Sequence, residues 1–462
     1  MAYENRNRTT FTVENNHVIF IKPSKSTPTT LLSLSSIDND PESNVFQQIL
    51  TVFRSPNYDS AKTITKRDPA NVIKQALSKA LSFYYPLAGR IVRHADGKFS
   101  VQCNSDGGVP FTEAICNCNL SSLDYLDGNY FEMAKCFAID FPSQDEFGNQ
   151  YPLLLKVTKF LCGGYIFALS ISHIICDGTG TSKFLHALAE LANGKTEPSV
   201  KPVWERETLV GSTITQPMQN LLEEDFATVS PFVPCTEFSH ACIKVDNESI
   251  IRLKMSLIKE RGETENNIEG SENRREFTTF ESLAAYVWRA RARALELSYD
   301  GKTMLGITVG VRSHLHDGYY GNAIVYQSVV VTVRELNERP LWQIVKLIRE
   351  SLEIAYTNDF IKHSINSMET KPTRYDYETG AVMDLTDWRH LGFIEKVDFG
   401  WTEPMNVIPA PCNMVGLCMI LPPINFGSAK ERGVRVCLCL PSAAMPTFKE
   451  EMEALKLVHS RL

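Results

Sequence analysis

The sequence has no run of ~20 apolar residues, so nothing in it is expected to cross a bilayer as a helix. Its opening stretch, Met1 to Phe11, is polar and lacks the apolar segment of a secretory signal, which points to a cytoplasmic protein. Excess positive charge is missing too. There are 47 Lys and Arg against 54 Asp and Glu, the net charge is -7, and no basic stripe could follow a phosphate backbone. Nucleic acid and membrane are thereby excluded as partners. The 12 cysteines have no disulfide-like spacing. Cys116 with Cys118 and Cys437 with Cys439 are pairs that share a strand face, but no second ligand pair is nearby, so both read as packing and no metal is expected.

Several catalytic signatures are absent as well. The nearest approach to a G-x-S-x-G elbow, Gly306 to Gly310, carries Thr308 at its centre, which argues against a serine hydrolase of the α/β type. Gly194-Lys195-Thr196 looks like the end of a P-loop, yet the position of the leading glycine is Ala189. No G-x-G-x-x-G follows a strand, and no repeat period suggests a solenoid or propeller.

What is present is a globular composition, with 43% apolar and 22% charged residues, on a chain of 462 residues. That length exceeds one ordinary core, so two domains of about 200 residues are expected. Period-two patterns at Val18 to Ile21, Leu153 to Val157 and Tyr165 to Ser172 predict strands. Amphipathic patterns predict helices over Ala70 to Ser82, Gly180 to Ala192, Phe280 to Leu295, Leu341 to Tyr356 and Pro446 to Leu457. The class is α/β, with mixed sheets flanked by helices. Residues 1-194 and 235-462 are the expected domains, and 195-234, rich in Pro, Ser and Thr, the crossover between them. Glu260 to Glu276 and His363 to Gly380 read as polar surface loops.

One segment suggests chemistry. Ser172-His173-Ile174-Ile175-Cys176-Asp177-Gly178-Thr179-Gly180 sets an H-x-x-x-D-G pattern between a predicted strand and a predicted helix. Two readings are open from the segment alone. His173 is either a core histidine, with Asp177 capping the helix, or a neutral imidazole that deprotonates a bound nucleophile.

The surrounding motifs decide between them. Tyr85-Pro86-Leu87-Ala88-Gly89-Arg90, Trp204-Glu205-Arg206-Glu207, Gly318-Tyr319-Tyr320-Gly321-Asn322, Asp398-Phe399-Gly400-Trp401 and the closing Leu440-Pro441 segment resemble the plant BAHD acyltransferases. The likeness runs from about Ser35 to the end of the chain. It implies two similarly sized chloramphenicol-acetyltransferase-like domains, a channel between them, and His173 as general base midway along it. Acyl-CoA would be a co-substrate, no cofactor would be bound permanently, and the protein would be a monomer.

Further implications follow from the same resemblance. Asp177 and Gly178 would have structural parts, with Asp177 turned away from His173 and paired with Arg289 or Arg291. Asp398, Gly400 and Trp401 would lie away from the histidine, with Arg312 as the salt-bridge candidate for Asp398. The Trp401 indole and the Thr402 hydroxyl are candidate oxyanion donors. Thr278 and Thr279, opening a helix, are candidate CoA contacts, or simply caps.

The branch with the nearest look makes hydroxycinnamoyl amides, judged by Val109-Pro110-Phe111-Thr112, Leu385-Thr386-Asp387-Trp388-Arg389 and Trp401-Thr402-Glu403-Pro404. N-acylation of an amine is therefore expected, with O-acylation of an alcohol as the alternative and a non-catalytic acyl-CoA-binding protein as a remote third. An acidic residue is common at the Thr402 position in that branch, so its absence implies a less charged acceptor. The tail Ser460-Arg461-Leu462 resembles a peroxisomal address.

Overall fold

The computed structural model describes residues 2–4, 10–55, 68–104, 107–128, 131–212, 228–265, 276–370, 379–425 and 433–457; Ser460-Arg461-Leu462 lies outside them. The first part of the chain forms strands β1 (Ala2–Glu4), β2 (Thr10–Asn15), β3 (Ile19–Ile21), β4 (Thr30–Ser33) and β5 (Phe46–Phe53), then helix α1 (Pro69–Ala80). It continues with β6 (Arg90–Arg93), β7 (Phe99–Cys103), β8 (Val109–Cys116), α2 (Phe131–Phe137), β9 (Leu153–Phe160), β10 (Tyr165–Ser172) and α3 (Gly178–Ala192).

Beyond residue 234 come β11 (Phe238–Asp246), α4 (Asn247–Glu265), α5 (Thr279–Ala294), β12 (Lys302–Gly310), β13 (Ile324–Thr332), α6 (Val333–Glu338), α7 (Leu341–Ala355) and α8 (Asn358–Thr370). The chain closes with β14 (Val382–Asp387), β15 (Asn406–Pro409), β16 (Leu417–Leu421), β17 (Gly433–Pro441) and α9 (Met445–Leu457).

These elements build two principal mixed sheets. The larger runs β1-β2-β8-β9-β10-β5-β15, with β3 also on β8, and the smaller runs β11-β17-β16-β14-β12-β13. A third, three-stranded sheet is formed by β4, β7 and β6. Every strand of the larger sheet precedes α3 except β15, which leaves the second half and pairs antiparallel with β5. Arg435 of β17 is buried and secures that crossing, donating to the carbonyls of Val407 (3.0 Å) and Pro422 (2.8 Å).

β10 sits inside the larger sheet with all eight side chains buried. Tyr165, Phe167, Leu169 and Ile171 join the core beneath α1 and α3, while Ile166 and Ala168 join the core on the other face, which Met419, Leu421 and Cys437 of the second sheet also enter. A strand rich in aromatic and β-branched residues can fill two cores in this way. The second sheet uses its faces differently. Leu305, Ile307, Met383 and Leu385 are buried in the core shared with α5, α7 and α9. Their alternates face the first sheet.

Two segments differ from what their composition predicts. Glu260 to Glu265 continue α4, and His363 to Thr370 belong to α8. Helix α8 is held by Phe360, Ile361, Ile365 and Met368, which pack against the second core at helical spacing. Read from His363 onward, two of those four residues drop out of the pattern, and the remainder looks like a polar loop.

Candidate active site

His173 is the first residue beyond β10, and its backbone N–H donates to the Val45 carbonyl at 2.8 Å. The strand is locked on both sides by β5 and β9, so the residue that leaves it has a defined origin. The side chain is partly exposed, while its Nδ1 is buried with no hydrogen-bond partner. Burial lowers the imidazole pKa below its usual value, against the opposing charge of Asp177, and the ring is held neutral.

Asp177 does not reach that ring as a triad carboxylate does. It caps α3, its Oδ1 accepting from Gly180 N–H at 2.9 Å, and the same oxygen accepts from Arg312 Nη2 at 2.6 Å. Its Oδ2 accepts from the Ala323 N–H at 3.0 Å. One carboxylate thus ties the turn after His173 to the segment between β12 and β13.

The arginine partner of Asp177 is Arg312, which corrects two expectations at once. Arg289 donates to the carbonyls of Leu336 and Arg339, and Arg291 to those of Gly380 and Val415, so neither meets Asp177. Arg312 in turn does not pair with Asp398. The Asp398 carboxylate accepts from the N–H groups of Gly400 and Trp401, both at 2.8 Å, and folds its own turn. Gly400 adopts φ +96 there, a conformation suited to glycine.

The Asp398 to Trp401 turn lies far from the histidine. Phe399 packs on Phe53 and Phe167, the Trp401 ring stands 5.8 Å from that of Tyr165, and the Asp398 carbonyl meets Asn193 past the end of α3. Tyr165 begins β10 and His173 follows its end, a separation of about 26 Å at ~3.3 Å per residue. Trp401 and Thr402 are therefore too distant to meet an oxyanion formed at His173.

Three residues without an expected role complete the site. Asp38 and Arg206 are buried, with Arg206 Nη1 3.1 Å from both Asp38 oxygens and Nη2 2.7 Å from the Ile175 carbonyl. Asn322 Nδ2 donates to Asp38 Oδ1 at 2.8 Å and to the His173 carbonyl at 2.6 Å. Burial opposes the Arg206 charge, but Asp38 and the neighbouring tyrosines outweigh it and the guanidinium pKa is raised. Trp204 covers the same guanidinium at 4.2 Å. The two motifs that contain Arg206 and Asn322 are visible in sequence, but their joint hold on the His173 turn is not.

Close packing supports this arrangement. A Cβ on Gly180 would stand 2.0 Å from the Tyr320 carbonyl oxygen, so α3 can approach the second half only through a glycine. Cys176, inside the motif, is pushed up to about 12 by burial and is no thiolate nucleophile.

Thr278 caps α5 through a capping box with Glu281. Thr279 is the first residue of that helix. Arg291, near the other end of α5, grips the chain ahead of β14 and β16. The helix therefore runs against those strands and opens toward the end of the sheet where β12 delivers Arg312. Among the described residues, no group of His, Cys, Asp and Glu could hold a metal ion, and no helix is long and apolar enough to cross a membrane.

Two mixed sheets joined through a buried polar network around one histidine define a two-sheet α/β fold that vinorine synthase shares: its solved structure matches with TM-score 0.71 at 21% identity, covering 96% of this chain and 98% of that one. The family follows from sequence. The model of the Transferase family matches residues 11–455, and the chain belongs to that family, the BAHD acyltransferases. Spermidine sinapoyl-CoA acyltransferase of Arabidopsis thaliana is 38% identical over 94% of this chain and 96% of its own length. Spermidine coumaroyl-CoA acyltransferase of the same plant is 36% identical over 97% of this chain and 96% of its own.

Proposed function

We propose that the protein transfers an acyl group, of the hydroxycinnamoyl type, from acyl-CoA to an amine and so forms an amide, with His173 as the general base. The observation that carries this reading is a partly exposed histidine whose imidazole is held neutral, at a strand end between two sheets, in a chain 38% identical to a spermidine acyltransferase.

The steps balance on this one side chain. The amine nitrogen attacks the thioester carbonyl carbon, forming the C–N bond while the carbonyl oxygen becomes an oxyanion. Nε2 of His173 accepts the proton released by the nitrogen. Collapse of the intermediate breaks the C–S bond, and the imidazolium returns the proton to the departing CoA thiolate. General-base catalysis of this kind contributes about 10²- to 10⁴-fold. Holding the two substrates in line supplies much of the rest.

The parts of the other residues follow from their contacts. Asp177, Arg312, Asp38, Arg206 and Asn322 are positioning residues, since they hold the backbone on either side of His173. The oxyanion donor belongs on the segment that reaches the histidine end of the second sheet, where Thr386 and Trp388 offer a hydroxyl and an indole N–H. CoA is assigned to the opening of α5 at Thr278 and Thr279, where the positive end of the helix dipole favours phosphate.

The test is to incubate the purified protein with an aromatic acyl-CoA and separate amines and alcohols, recording thiol release and product mass. Thiol released in step with an alkali-resistant amide is the expected result. Release with alcohols alone would make the protein an ester-forming enzyme, and no release with any pair would leave only binding.

A further inference from the structure

Cys242 and Cys437 stand 195 positions apart in the chain, yet they face each other in the second sheet. Cys242 belongs to β11, the outermost strand, and Cys437 lies directly opposite it in β17, where the pairing is antiparallel. Residues opposed in this way have Cα atoms about 4.5 to 5.5 Å apart, inside the range that a disulfide spans. The side chains already meet, the Cys437 thiol donating to Cys242 Sγ at 2.8 Å.

A route from solvent reaches the pair. Cys242 is 8% exposed and lines a cleft of about 790 Å³ bounded by β11, α9 and the segment around Asp127, whereas Cys437 is wholly buried. Lys244, Lys449 and Lys456 line the same cleft. Asp127 and Glu453 pair with the first and last of these, and Lys449 adds a further cation. A thiol beside cations and within reach of solvent reacts more readily than one sealed in apolar packing. Cys116, wholly buried with its Sγ 3.5 Å from that of Cys118, shows the contrast, since burial pushes its thiol up to about 12 and keeps it protonated.

We propose that Cys242 and Cys437 form a second chemical site, a dithiol that low-molecular-weight disulfides convert into a cross-strand disulfide. The Cys242 thiolate, in the cleft, attacks one sulfur of the small disulfide; a protein-to-ligand S–S bond forms, the small S–S bond breaks and one small thiol leaves. Cys437 then attacks Cys242 Sγ, the mixed disulfide breaks and the second small thiol leaves. The protein pair is oxidised by two electrons and the small disulfide is reduced by two, with each protein thiol giving up the proton that a departing thiolate gains. The new bond joins positions 195 apart, and closures of such length restrict the unfolded chain most. It ties the edge strand to β17, which also carries Arg435 behind the β15 crossing. This site is independent of the acyl-transfer chemistry.

The experiment treats the purified full-length protein with oxidised glutathione or with dithiothreitol, then maps cysteine-linked peptides by mass spectrometry and records melting curves. Oxidised wild type should yield peptides joined through Cys242 and Cys437 and melt about 4 °C or more above the reduced protein, with dithiothreitol reversing both changes. Cys437→Ser should keep glutathione on Cys242 as a mixed disulfide, and Cys242→Ser should leave Cys437 unmodified. Glutathione confined to the exposed Cys162 and Cys412, with Cys242 and Cys437 still open to alkylation after unfolding, overturns the proposal. A link between other cysteines overturns it too, as does a Cys242 to Cys437 link without a higher melting temperature. Should a serine variant fail to fold, the linked peptides of the wild type still decide.

Discussion

Backbone anchors, and no triad carboxylate, set the direction of the His173 imidazole. With Nδ1 buried and without a partner, protonation of the ring is disfavoured by desolvation. A histidine with a lowered pKa stays neutral until the pH falls below the ordinary value of about 6.5, and its basic function is lost only there. Titration of the His173 resonance by NMR should give a midpoint below about 6.5; a midpoint above it would contradict the burial described here. Asp177→Ala should cost on the order of 3 to 5 kcal/mol in thermal or denaturant unfolding, because it strands Arg312 and uncaps α3 together.

His173 and Asp177 can be found in the sequence because they lie only four positions apart. Asp38, Arg206 and Asn322 cannot be assigned there, since Asp38 meets Arg206 across 168 positions and Asn322 across 284. In sequence, Asp38 is an ordinary polar residue, and the motifs of Arg206 and Asn322 do not show that the two meet it. The pairing of Arg312 with Asp177 is hidden for the same reason, its partner being 135 positions away.

Elements are legible where one face is apolar at a regular period. Helix α1 buries Ala70, Ile73, Ala76, Leu77 and Ala80, and α7 buries Leu341, Ile344, Val345 and Ile348, spacings that mark a helix from the residue pattern alone. Helix α8 shows the limit of that signal, because its apolar residues are diluted among polar ones and pack only on one flank of the second core. Close approach between elements is invisible in a periodicity. Gly180→Ala is expected to lower the melting temperature and cost about 1 to 3 kcal/mol, since its Cβ meets backbone and not a side chain that can swing away. An unchanged melting curve would mean that α3 does not pack against Tyr320 as described.

At the scale of the whole molecule, the two sheets are joined at several places among the described residues. They include the Asp177–Arg312 pair and the Asp38, Arg206 and Asn322 network beside the histidine, β15 with Arg435 behind it, and the core in which Ile166 and Ala168 meet Met419, Leu421 and Cys437. The expected α/β class and two-part organisation can be read from length and pattern, but an exchanged edge strand leaves no mark in a sequence. Arg206→Met should leave the Asp38 charge buried without its partner, destabilising the protein by about 3 to 5 kcal/mol, and the paired change with Asp38→Leu should recover much of that loss. Two independent losses that simply add would show that the buried pair does not couple the halves.

All of these contacts converge on one accessible, uncharged ring, so the most direct test is CoA thiol release by His173→Ala with an aromatic acyl-CoA and spermidine. The folded variant is predicted to turn over at least about 10²-fold more slowly than wild type, with KM for acyl-CoA little changed. Turnover near the wild-type rate would contradict the account.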